Sequence, residues 1–231
     1  MKPEKETTTA QSSIVQPVSR RRFFTLAGIG VLAASTIASC KKDDAPMVTD
    51  TSIDLGSGDV GILNYAYALE QLEAAFYIKV VSSFYSGATA DEKSRLAEIR
   101  DHEIAHREFF KNALGSKAIP GLEVDFSKID FTSRDSVLGT AKAFEDLGVS
   151  AYNGAGQLIV SADYLLLAGK IVSVEARHAA YIRDMISNGS FADATAIDAN
   201  GLDMSKMPSE VLPIASGFLK SKITANNLPT S

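Results

Sequence analysis

One cysteine, Cys40, stands among 231 residues, so no intrachain disulfide can form. The same scarcity excludes any cysteine-rich metal module. Tryptophan is absent altogether. No glycine-rich loop of the nucleotide-binding kind occurs. Only seven prolines are present, and none lies between residues 58 and 119 or between 121 and 190, so long helices can run there unbroken. Positive charge is also short. The chain carries a net −5. Residues 1 to 39 hold Lys2, Lys5, Arg20, Arg21 and Arg22 against Glu4 and Glu6, a surplus of three positive charges, which leaves −8 for residues 40 to 231. That balance excludes nucleic acid as a partner, because phosphate contacts need clustered Lys and Arg. The one sustained apolar run, Thr25 to Ala38, is too short and too rich in Gly, Ser and Thr to make a good membrane-spanning helix.

What is present is a motif that occurs twice. Glu103-Ile104-Ala105-His106 and Glu175-Ala176-Arg177-His178 are both Glu-x-x-His within helix-like runs. Residues three apart share a helix face, so each motif aims a carboxylate and an imidazole at one point. Each is preceded by a lone glutamate with a tyrosine seven residues later: Glu70 with Tyr77, and Glu145 with Tyr152. Four carboxylates and two histidines form the donor set of a dinuclear carboxylate-bridged site in a four-helix bundle. Hard carboxylates with two imidazoles favour iron or manganese over zinc or copper.

Four helices are expected, all-α, followed by a short fifth. The first runs from an Asp59 N-cap to about Phe84. The second runs from Thr89, with Glu92 as its capping-box partner, to Leu114 before Gly115. A long crossover follows, residues 115 to 132. The third helix runs from Thr132 or Ser133 to Ile159, and the fourth over 162–187. Met207-Pro208-Ser209-Glu210-Val211 opens the short helix, and residues 221 to 231 are expected to fray. Two spacings bring the donors to one height. The midpoint of Glu70 and Glu103 falls at Ser86-Gly87, and that of Glu145 and Glu175 falls beside Ser161; both are turns. Glu73, Glu98 and Glu108 are expected on the surface, and His102 on the surface or behind the ligands. A carboxylate aimed into a core is costly unless it is paired or bound to metal. Without metal, such a cluster takes up protons.

The N-terminal segment, residues 1 to 39, resembles a twin-arginine export signal, through Arg20-Arg21-Arg22-Phe23-Phe24 and the apolar run. Ile37-Ala38-Ser39-Cys40 resembles a bacterial lipobox, which implies acylation at Cys40. Residues 40 to 57 read as a tether. The implied location is the cell envelope, with the protein exported and held on a membrane by its lipid.

Residues 58 to 190 resemble the ferritin-like superfamily, which includes rubrerythrin, bacterioferritin and manganese catalase. Among its members they are most similar to exported bacterial ferritin-like domain proteins related to plant desiccation-related proteins. The resemblance implies a four-helix bundle with one long crossover. It makes Glu70 and Glu145 the single-helix ligands, makes Glu103 and Glu175 the candidate bridging carboxylates, and has His106 and His178 supply one nitrogen to each metal. It places Tyr77 and Tyr152 behind the ligands. The implied cofactors are two iron or manganese ions, and the implied substrates O2, H2O2 or ferrous iron, in ferroxidase, peroxidase or catalase-like chemistry. A homo-oligomer is also compatible. A non-enzymatic protein in which metal only staples the bundle is the alternative.

Overall fold

The structure, a computed structural model, describes residues 52–231. The expected export signal and lipidation site, residues 1 to 39 and Cys40, lie outside the described residues. The elements in chain order are β1 (Ile53–Asp54), α1 (Gly58–Ser82), α2 (Ala90–Leu114), α3 (Arg134–Gly156), α4 (Ala162–Ile186), α5 (Pro208–Ala215) and β2 (Ile223–Thr224). The long helices form two hairpins, α1 with α2 and α3 with α4, and α1 also packs on α3. This is the all-α bundle with one long crossover. The first turn contains Gly87 at φ 77°, a conformation that glycine adopts without steric cost. The second is closed by Ser161, whose side chain accepts from the Tyr164 N–H.

Helix ends differ from expectation by a few residues. α1 stops at Ser82 rather than Phe84, and α3 at Gly156 rather than Ile159. The α1 N-cap is Ser57, not Asp59. The Asp59 carboxylate instead accepts the backbone N–H groups of Val160 (2.8 Å) and Ser161 (2.9 Å), tying the start of α1 to the α3–α4 turn. The capping box at Thr89 and Glu92 forms as expected. At the opposite end, Arg134 reaches Glu92 (2.8 Å) and the Met185 carbonyl (2.7 Å), joining α2, α3 and α4.

α1 is buried around most of its circumference, because the crossover covers the side that its helical neighbours leave open. Two buried polar side chains on α1 hold that crossover. Asn64 donates to the carbonyls of Leu55 (3.1 Å) and Lys117 (3.0 Å) and accepts from Ile119 N–H (3.0 Å). Gln71 accepts from Leu122 N–H (2.8 Å). Phe126 and Phe131 of the crossover pack on Phe76, which also meets Phe144.

The C-terminal tail, expected to fray, is fixed. β2 pairs in parallel with β1, Ile53 opposite Ile223, and Leu228 is buried. Residues 53–57, expected to end the tether, are therefore part of the packed body, and Leu55 is fully buried. The extension before α5 lies against α3. Lys206 N–H donates to the Ser150 carbonyl (2.9 Å), and Asn153 donates to the Met204 carbonyl (3.1 Å).

Candidate metal centre

All six donors expected from sequence meet in the middle of the bundle. They form two quartets of atoms lying within 4.8 Å of one another: Glu70, Glu103, His106 and Glu175, and Glu103, Glu145, Glu175 and His178. Glu103 and Glu175 belong to both. Each histidine reaches across to the other hairpin. His106 Nδ1 lies 2.7 Å from Glu175 Oε1, and 3.6 Å from Glu70 Oε2. His178 Nδ1 lies 2.8 Å from Glu103 Oε1, and 3.5 Å from both Glu145 Oε2 and Glu175 Oε2. The four glutamate side chains are wholly buried, while His106 keeps 12% of its side chain exposed and His178 keeps 5%.

The free atoms test whether metal ions fit. None of these short N···O approaches has hydrogen-bond alignment. Left without a hydrogen bond are both oxygens of Glu103, both of Glu175, Oε2 of Glu70, Oε2 of Glu145, and Nδ1 of each histidine. The remaining oxygens of Glu70 and Glu145 are taken: Tyr152 donates to Glu70 Oε1, and Tyr77 to Glu145 Oε1. So each carboxylate shared by the two quartets has two free oxygens, and each unshared one has a single free oxygen. Buried acceptors are rarely left orphaned, since each costs about 1–3 kcal/mol. Eight orphaned donor atoms converging on one buried point are what two cations, bridged by two carboxylates, would satisfy. The residues present fit the group.

The charges are arranged accordingly. Burial pushes Glu70 and Glu103 up, and the Glu175 charge beside them adds to it. Burial raises Glu145 to about 7 against the opposing pull of His178. Burial also acts on Glu175, but its contacts with His106 and His178 outweigh it and hold it at about 2. Burial would lower both histidines. Instead the glutamates around them prevail, lifting His106 to about 9 and raising His178 as well. The metal-free cluster is thus a proton-holding network of cations and carboxylates.

Two further residues belong to the centre. Glu73, expected on the surface, is only 4% exposed, and its Oε2 has no hydrogen-bond partner. Burial, then the charges of Glu103 and Glu175, hold its carboxyl well above the usual range. The internal repeat explains where it fits. Glu70 corresponds to Glu145, so Glu73 corresponds to Gly148. A Cβ added at Gly148 would stand 3.0 Å from Glu73 Oε1. Glu73 therefore occupies room that the missing side chain leaves. His102 is exposed, and its Nδ1 lies 2.9 Å from Nε2 of His178, the two rings being within 7° of parallel. It holds the rear nitrogen of His178, whose front nitrogen faces the cluster. Glu98 and Glu108 stay at the surface, paired with Arg95 and Arg107.

The ferritin-like domain family matches residues 58–188, more than half of the chain. Comparison with curated proteins gives no match. With the helical order, the single crossover and the buried Glu/His cluster that could hold metal all in place, the chain belongs to the ferritin-like family.

Proposed function

We propose that this is an exported, lipid-anchored protein that holds two iron or manganese ions and uses them in redox chemistry on O2 or H2O2, or in iron oxidation, protecting the cell envelope from stress. The observation that carries the reading is the pattern of free oxygens, two on each shared carboxylate and one on each unshared carboxylate. Glu103 and Glu175 would bridge the ions. Glu70 with His106, and Glu145 with His178, would complete each site. Such ions, when bound, supply paired one-electron steps between the 2+ and 3+ states. The protein's own part is to fix the donors and keep bulk water out. Tyr77 and Tyr152 do the first by immobilising the unshared glutamates, and burial of the four carboxylates does the second. His106 is the most exposed donor, so small molecules are the substrates that can approach.

Protein from iron- or manganese-sufficient medium should contain two ions per chain. Less than about one ion under every condition would overturn the reading. Anaerobic ferrous loading followed by air should give stoichiometric oxidation faster than that of free ferrous iron. Two bound ions with no accelerated oxidation would instead identify a bundle that metal only staples.

His102 gives a finer expectation. An outer hydrogen bond to a ligating imidazole fixes its tautomer, and losing one typically costs about 10–100-fold in metal affinity. His102→Ala should weaken Mn(II) binding by that order in a chelator competition. His102→Gln keeps a carbonyl that can accept from the His178 Nε2–H, and should restore most of the affinity. Unchanged affinity in His102→Ala would show that the contact does not orient His178.

A further inference from the structure

The α3–α4 turn carries an apolar surface that the bundle does not use. Val160 is 90% exposed, and Leu165 and Leu166, in the first turn and a half of α4, are 46% and 60% exposed. Residues of this kind at a helix hairpin ordinarily turn inward, and isolated exposed apolar residues need no explanation, but three together at a tip do. The chain's own path suggests what meets them. The Asp59 bonds to Val160 and Ser161 place the start of α1 against this turn. The described chain begins at Ser52, five residues before the Ser57 N-cap, so the tether joins the body close to the same end. Eleven residues separate Cys40 from Ser52. Fully extended they reach about 40 Å at most, and a relaxed tether reaches less. No described helix is long and apolar enough to cross a membrane.

We infer that the Val160, Leu165 and Leu166 tip is a membrane-contacting face, which rests on the bilayer holding the Cys40 lipid and orients the bundle upon it. The inference rests on the lipid-anchor reading above. The acyl chains hold the protein, and the apolar tip sets which end faces the lipid, as apolar side chains do when they insert at the headgroup boundary. Docking by this end points the α2–α4 surface, where His106 is partly exposed, sideways rather than into the bilayer.

Because the chain has no tryptophan, one introduced tryptophan reports its own surroundings. Full-length acylated protein carrying Val160→Trp, and a second carrying Ser83→Trp at the opposite end of α1, would be reconstituted into phosphatidylcholine–phosphatidylglycerol vesicles, with and without brominated acyl chains. Co-sedimentation with the vesicles is read in parallel. The Val160→Trp protein should emit at shorter wavelength and lose about half its emission to the brominated lipid, as expected for an interfacial ring. The Ser83→Trp protein should lose little. Protein that sediments with vesicles while the Val160→Trp emission stays water-like and unquenched overturns the membrane face and leaves the anchor standing. Protein that does not sediment overturns both. A blue-shifted but unquenched Val160→Trp signal, with a cross-linked dimer, would show that a second copy covers the tip and would equally overturn contact with lipid.

Discussion

Metal-free Glu73→Gln is expected to be more stable than the metal-free native chain, by a margin that widens as pH rises. The folded state holds the Glu73 carboxyl well above its ordinary value, through burial first and the neighbouring glutamates second. An acid whose folded value is raised binds a proton in the folded state that the unfolded chain has released. Stability is then lost as pH climbs above the unfolded value, by about 1.4 kcal/mol per pH unit for each such group. Glutamine keeps the shape and polarity of the protonated carboxyl and does not titrate. Between pH 5 and pH 8 the gap in unfolding free energy should therefore grow by up to about 4 kcal/mol. Urea unfolding in the presence of chelator at three or four pH values measures it. Glu70, Glu103 and Glu145 are raised too, and His106, lifted to about 9, loses its contribution as pH passes through that value. The native apo protein should itself weaken across the same window. Glu175, held at about 2, adds nothing to that slope, because it is ionised in both states above pH 5. A gap that stays flat with pH would mean Glu73 is not held protonated in the cluster. Truncating Glu145 is a less direct test. It accepts the Tyr77 O–H and faces His178, so its removal strands two partners while relieving one charge.

The donors were legible because two independent regularities had to agree. Residues equidistant from a hairpin turn stand at one height, since both helices rise by about 1.5 Å per residue. That rule needs only the turn, and Gly87 and Ser161 mark the two turns in the sequence. It places Glu70 beside Glu103, and Glu145 beside Glu175. It cannot say which oxygen meets which partner across the hairpins. The crossed pairing, Tyr77 with Glu145 and Tyr152 with Glu70, depends on how α1 packs against α3. Glu73 was hidden for a related reason. A glutamate three residues after another reads as one more solvated position. What buries it is an absence, the side chain missing at Gly148 on another helix. The signal was there in the repeat, where a glutamate in one half stands opposite a glycine in the other.

The crossover and the tail show the limits of periodicity. Residues 115 to 132 follow no helical or strand pattern, yet they are held by Asn64 and Gln71, side chains that look like ordinary polar positions on α1. Their amide groups satisfy backbone that no ladder could reach. β1 and β2 are two residues each, too short for any alternation to register, and their partners lie 170 residues apart. Asp59 reads as an N-cap by composition and works instead as an acceptor for a distant turn, because Ser57 takes the position two residues earlier.

Gly154→Ala should be among the most damaging single-methyl changes in the protein, while Gly139→Ala on the same helix should be neutral or stabilising. Both glycines lie within α3, where glycine costs about 0.5–1 kcal/mol relative to alanine. At Gly139 an added Cβ meets nothing within 4 Å, so alanine recovers that helix propensity. At Gly154 the added Cβ would run into the carbonyl oxygen and carbon of Lys206. Both are backbone atoms that cannot rotate away. Relief requires the extension to move, and the extension is fastened there by the Lys206 bond to Ser150 and the Asn153 bond to Met204. Moving it also shifts Val211, fully buried in α5 just beyond. Overpacking against fixed neighbours costs about 1–3 kcal/mol, and the lost hydrogen bonds and apolar burial add to it. A loss of about 3 kcal/mol or more is expected for Gly154→Ala, with new proteolytic cleavage between residues 188 and 206. Thermal melts of the two variants, with limited proteolysis alongside, decide it. If Gly154→Ala melts with the native protein and resists cleavage, then the extension does not lie on α3 as the structure has it, and the glycine there serves some other end.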